Sequence, residues 1–270
     1  MARQGKGQRL TSRACTRRDA LGLALGALVP ACRAKSDPAQ ARAAVATDGA
    51  SSEPFGGLEV TSGGDLTEDE HGGTAVVLLH GFGAAGDDLV SLARELALPR
   101  TRYVVPAGPL TLPSGGRAWW QLKQRPTYDT EQALVVDPEA LLGARRAVQG
   151  VLATIRQRYA PQALFVAGFS QGAMLALDVA VQKSSAVDRV GVLSGALTVE
   201  TARLLVKRRK APLVFASHGR QDRVLRFEGA EHLVERLKAA EYSVTFQPFS
   251  GGHEIPPEVR AGLHDFFGPE

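Results

Sequence analysis

From about residue 57 onward, short apolar runs of strand length alternate with segments of helical spacing, and this alternation restricts the chain more than any other feature. Residues 74–79 (TAVVLL) are almost continuously apolar, as expected of a strand buried on both faces. Leu89, Leu92 and Leu96 then recur at helical spacing, and residues 103–105 read as a strand cut off by Pro106. Asp137, Pro138 and Glu139 supply an N-cap, a first-turn proline and a first-turn acid. The helix they open aligns Leu141, Ala144, Val148, Val151, Leu152 and Ile155 on one stripe. Residues 163–168 form the next strand and 171–181 the next helix. Further strands are expected at 190–193, 212–216 and 242–246, with helices at about 227–240 and 256–267. Such alternation predicts an α/β domain over 57–270 with a mainly parallel, doubly wound sheet and helices on both faces. In sheets of this kind the reacting groups gather beyond the carboxyl ends of the strands.

Charge and composition remove other classes. With 44% hydrophobic and 22% charged residues, the 270-residue chain is neither a polyelectrolyte nor a membrane bundle. Its formal charge of +4 arises near the N-terminus, where residues 1–31 carry Arg3, Lys6, Arg9, Arg13, Arg17 and Arg18 against Asp19 alone. Of the 32 basic and 28 acidic side chains, 26 and 27 remain beyond that point, so no basic footprint for nucleic acid is left.

Residues 1–31 read as an export signal. A basic stretch ending at Arg17-Arg18 precedes an apolar run over 20–31, too short to span a bilayer but of signal-peptide length. The paired arginines resemble a twin-arginine export motif, and the general secretory route stays open. Val29-Pro30-Ala31-Cys32 resembles the lipobox of bacterial lipoproteins, with Pro30 departing from the usual pattern. Cleavage after Ala31 would leave Cys32 as a lipidated N-terminus. The other cysteine, Cys15, would leave with the signal, so the mature chain would have no thiol chemistry. Residues 32–56, rich in Ala, Ser, Asp and Pro, have the composition of a flexible tether. The expected location is the cell envelope or periplasm.

Candidate chemistry lies between strands and helices. Gly168-Phe169-Ser170-Gln171-Gly172 is a G-x-S-x-G pattern set between a strand and a helix, the context in which its serine is thrust above the sheet. A hydroxyl of ordinary pKa needs a base. Of the six histidines, His253 lies in a glycine-flanked loop directly after a strand. His80 ends the first buried strand in an oxyanion-type turn, and His218 opens the loop that carries Asp222 and has a structural character. Asp222 follows strand 212–216 at the same sheet edge, whereas Asp178 lies on the helix behind Ser170 and Asp188 precedes a strand at the opposite end. The order Ser170, Asp222, His253 is that of the α/β-hydrolase arrangement. The long segment over 106–136 carries Trp119 and Trp120, at least one of which is expected to line an acyl pocket.

These segments together resemble the phospholipase/carboxylesterase family of α/β hydrolases, which includes the acyl-protein thioesterases. The resemblance rests on Leu79-His80-Gly81-Phe82-Gly83, the Ser170 motif, Arg117-Ala118-Trp119-Trp120, His218 through Asp222, and Gly251-Gly252-His253-Glu254. It implies a serine hydrolase of carboxylic esters or thioesters that needs no cofactor or metal. It also implies an oxyanion hole built from the Phe82 and Gln171 backbone N–H groups. A small acyl ester or a lysolipid is the expected substrate, because an exported enzyme would not meet cytosolic lipidated proteins. A peptidase of the same fold and a non-catalytic envelope lipoprotein are the alternatives.

Overall fold

In this computed structural model, residues 55–66, 70–122 and 127–269 are described. The expected export signal, Cys32 and the tether up to residue 54 lie outside the described residues. In chain order the elements are β1 (Val60–Gly64), β2 (Thr74–Leu79), α1 (Val90–Leu96), β3 (Thr101–Pro106), β4 (Leu110–Thr111), β5 (Arg117–Ala118) and α2 (Pro138–Tyr159). They continue with β6 (Ala163–Phe169), α3 (Gln171–Ala180), β7 (Arg189–Leu193), α4 (Val199–Ala202), β8 (Leu213–Gly219), α5 (Phe227–Ala239), β9 (Val244–Phe249) and α6 (Pro257–Phe267). Seven strands form one sheet in the order β1-β3-β2-β6-β7-β8-β9, and every ladder is parallel except β1 with β3. Strands β4 and β5 form a separate two-stranded hairpin.

The period-2 geometry of a strand explains the two cores. Ala75, Val77 and Leu79 of β2 join a cluster with residues of α2, α3 and α5, while Val76 and Leu78 join a second cluster with residues of α1 and α6. Helix α2 buries the whole expected stripe from Leu141 to Ile155 and adds Tyr159. Its N-cap is Asp137, whose side chain accepts from the Glu139 and Ala140 N–H groups. Every residue of α3 is buried. The one acid there, Asp178, accepts from Arg145 Nε at 2.5 Å and Nη2 at 2.9 Å and from Thr201 Oγ1 at 2.9 Å. That pairing ties α2, α3 and α4 together and removes Asp178 from any chemistry above the sheet.

The differences from the sequence expectation have local causes. Strand β1 is an antiparallel edge with little apolar content, held by its ladder to β3 and by Asp65, whose carboxylate accepts from the Arg100 and Thr101 N–H groups. Phe55 is buried against Tyr159, so packing begins two residues before the expected boundary at 57. Strand β8 continues past the apolar run through Ser217 and His218, paired with Gln247 and Pro248. Strand β9 starts at Val244 because the Tyr242 N–H donates to Leu237 O at the end of α5.

Candidate active site

The site is organised by the chain reversal at Ser170. This residue sits between β6 and α3 with φ 55° and ψ −115°, a left-handed backbone that a non-glycine residue adopts only at a cost. Its N–H donates to Leu193 O at 2.9 Å, and its C=O accepts from Ala173 and Met174. A Cβ at Gly168 would collide with the Gly172 carbonyl, and one at Gly172 with the Leu79 carbonyl. Close approach therefore requires glycine on both sides of the serine.

Ser170 Oγ lies 2.8 Å from His253 Nε2, and His253 Nδ1 lies 2.7 Å from Asp222 Oδ2. The carboxylate can only accept, so Nδ1 carries the ring hydrogen and Nε2 is left to accept from the Ser170 hydroxyl. The acid and histidine loops are joined by the Gln221 N–H to Gly251 O and the Arg220 N–H to Phe249 O, each at 2.9 Å. The Asp222 side chain is sealed from solvent, although its backbone is partly exposed. Burial alone would raise its pKa, but hydrogen bonds from His218, His253 and the Leu225 and Val224 N–H groups outweigh it and hold the carboxyl far below the usual range. Asp188, by contrast, accepts from the Leu164 N–H and pairs with Lys210 at the other end of the strands.

The turn after β2 lies directly against the serine, since a Cβ at Gly81 would come 3.4 Å from Ser170 Cβ. Neither the Phe82 nor the Gln171 backbone N–H has a protein acceptor among the described residues. His80 fixes this turn from beneath. Its Nδ1–H donates to Gly81 O at 2.7 Å, and its Nε2 accepts from the Gly108 N–H at 2.8 Å.

Trp119 and Trp120, expected near an acyl pocket, are buried side chains and do not line the cleft that opens beside His253. Both are 2% exposed. Trp119 Nε1 donates to His80 O at 2.9 Å. The Gln171 side chain grips the pair, with Oε1 accepting from the Trp119 N–H and Nε2 donating to Trp120 O, each at 2.9 Å. The tryptophans are thus a brace between the His80 turn and the start of α3. A cleft of about 310 Å³ opens beside the site, lined by Leu89, Leu92, Phe169, His253, Ile255 and Arg260 among others. A larger groove of about 620 Å³, between α2 and the end of α3, shares no residue with Ser170, His253 or Asp222. Among the described residues no group of three or more His, Cys, Asp or Glu side chains could hold a metal ion.

The phospholipase/carboxylesterase family model matches residues 66–267, which spans β2 through α6 and all of these loops. The chain belongs to the phospholipase/carboxylesterase family. It is a carboxylic-ester hydrolase of the α/β-hydrolase fold. A probable carboxylesterase of Oryza sativa subsp. japonica is 28% identical over 207 residues, covering 71% of this chain and 75% of the relative. Carboxylesterase SOBER1 of Arabidopsis thaliana is 26% identical over 198 residues, covering 67% and 84%. Among solved structures, esterase PE8 superposes with a TM-score of 0.62 at 24% identity, covering 74% of this chain and 94% of its own. Acyl-protein thioesterase 2 of Zea mays gives 0.59 at 23% identity, covering 77% and 96%.

Burial holds the His80 pKa below its ordinary value, against the opposing hydrogen bond to Gly81. The unfolded chain therefore takes up this proton first, and the stability carried by neutral His80 is complete above about pH 6.5 and is lost as pH falls below it. The stability difference between wild type and His80→Gln should be constant from pH 7 to 8 and shrink towards pH 5. Denaturant midpoints across that range provide the check, and a difference that grows on acidification contradicts it.

Proposed function

We propose that this chain is a serine carboxylesterase with lysophospholipase-like capacity, acting through Ser170, His253 and Asp222. The observation that carries the proposal is the continuous hydrogen-bonded path from Ser170 Oγ through His253 to the Asp222 carboxylate. As Oγ attacks the acyl carbonyl, its proton passes to His253 Nε2, and Asp222 stabilises the imidazolium while keeping its orientation. The Phe82 and Gln171 N–H groups receive the oxyanion. Each such donor is worth roughly 2.7–4 kcal/mol in the transition state. Collapse of the tetrahedral intermediate expels the alcohol or thiol, which takes the proton from His253. Water, deprotonated by the same imidazole, then releases the acid and restores Ser170. No step requires a metal or cofactor.

The substrate we favour is a small acyl ester or a lysolipid. The cleft beside His253 mixes Leu89, Leu92 and Ile255 with Asp88, Glu95 and Arg260, which suits an ester with both apolar and polar parts. We also propose that the enzyme is exported and tethered to a membrane through Cys32, a reading that rests on the sequence over 1–32.

Ser170→Ala should abolish nitrophenyl-ester turnover with the fold intact. Asp222→Asn should lower kcat by roughly 10⁴-fold, because an amide favours the wrong imidazole tautomer. Retention of near-wild-type turnover by either variant, measured beside circular dichroism, contradicts the proposed roles. For the tether, mass spectrometry of the N-terminus of membrane-fractionated protein should find acylated Cys32, and a Cys32→Ser variant should not be processed normally. An unmodified N-terminus downstream of Cys32 sinks the anchor proposal and leaves the esterase proposal untouched.

A further inference from the structure

The Asp222 carboxylate holds a second imidazole besides that of His253. His218, on β8, is buried, and its Nε2 lies 3.1 Å from Asp222 Oδ2 and 3.0 Å from Leu225 O. Both neighbours are acceptors, so Nε2 carries the hydrogen and shares it between them. Asp222 Oδ1 in turn accepts from the Val224 N–H at 2.8 Å and the Leu225 N–H at 2.9 Å. Leu225 is thereby fixed at both ends, its N–H by the acid and its C=O by His218. Oδ2 bridges the two histidines, one on each side.

The second ring nitrogen argues against a plain packing role. His218 Nδ1 is buried with no partner among the described residues, so the fold bears the desolvation of that nitrogen without return. Phenylalanine or leucine would fill the same space without that loss. What an apolar side chain cannot supply is the Nε2–H. Gln221, Arg223 and Val224 around the acid are exposed, and Val224 is 55% exposed. Among the side chains that reach the carboxylate, His218 comes from a sheet strand, whereas His253 comes from a loop.

We propose that His218 is a positioning residue that anchors the Asp222 carboxylate to the sheet and shares its charge with His253. The inference rests on the esterase mechanism proposed above. With the His218 donor present, Oδ2 divides its electron density between two N–H groups, and His253 receives part of it. Without that donor, Oδ1 is still held by two backbone N–H groups while Oδ2 serves His253 alone, so the imidazolium is better stabilised. The imidazole then loses its function as a base at a higher pH. Other charged groups around the pair are Asp88, Glu95 and Arg260 lining the cleft, Glu254 beside His253, and Arg220 over the Phe227 ring of α5. None of them is hydrogen-bonded to the Asp222 carboxylate among the described residues.

The test compares the pH dependence of kcat/KM for wild type, His218→Phe and His218→Gln with a soluble nitrophenyl ester. In His218→Phe the acid limb should move to higher pH. Its plateau kcat should also fall, because the carboxylate loses its anchor to the sheet and holds His253 less well oriented, with KM little changed. Glutamine, whose Nε2 can donate where the imidazole did, should restore the wild-type limb. A His218→Phe profile that superposes on wild type, or moves to lower pH, overturns the inference while the esterase proposal stands. Absence of turnover in the wild type itself would instead overturn the mechanism on which the inference rests. Should the phenylalanine variant not fold, nitrogen NMR of histidine-labelled wild type decides. A hydrogen on His218 Nε2 is expected, and a ring hydrogen on Nδ1 with Nε2 bare contradicts the inference.

Discussion

The left-handed backbone of Ser170 is the constraint around which the rest of the site is arranged. A φ of 55° at a serine persists only where surrounding structure over-determines it. Here the surroundings are β6 below, the Leu193 carbonyl taking the N–H, and the glycines at 168 and 172 that let neighbouring backbone close in. The same closeness brings Gly81 against the serine, so the reversal that presents the hydroxyl also sets where the His80–Gly83 turn must run. Gln171 completes the arrangement. Its backbone N–H has no protein acceptor among the described residues, while its side chain locks the tryptophan brace that supports the opposite turn. The His80–Gly83 turn and the start of α3 are thereby registered to each other through a single residue.

The second requirement is a charge held away from water. An isolated buried carboxylate would take a proton rather than remain ionised. Asp222 stays ionised because four donors converge on its two oxygens: two backbone N–H groups and two imidazoles. Its native pKa is depressed, so its contribution to stability is present above the ordinary carboxylate pKa and disappears as pH falls towards the native value. The charge that orients His253 is therefore also part of what folds the acid loop. Loop order and the chemistry proposed for Ser170 draw on the same carboxylate.

Much of this was legible in the sequence where the signal was local. Continuous apolar runs marked β2 and β6, and the Gly168–Gly172 pattern between strand and helix marked the serine. Asp222 and His253 could be chosen over Asp178 and Asp188 because each follows a strand at the same sheet edge. Strand β1 escaped detection because an edge strand with Thr61, Ser62, Gly63 and Gly64 has neither period nor apolar content. The bracing role of the tryptophans is not legible, because adjacent aromatic residues give no indication of what surrounds them. Their partner, Gln171, lies 52 residues from Trp119, beyond any pattern of spacing. The place of His218 before Asp222 in the sequence indicates only a structural character, because its contact with the carboxylate depends on how the loop folds back.

Covalent labelling tests most directly whether Ser170 is an activated nucleophile. A fluorophosphonate reacts with a serine whose hydroxyl is deprotonated by a neighbouring base and leaves ordinary serines untouched. Treatment of the folded wild-type protein should add one phosphonyl mass, mapped by peptide mass spectrometry to Ser170 and lost when His253 is replaced by alanine. An unlabelled protein, or an adduct on another residue, would contradict the account.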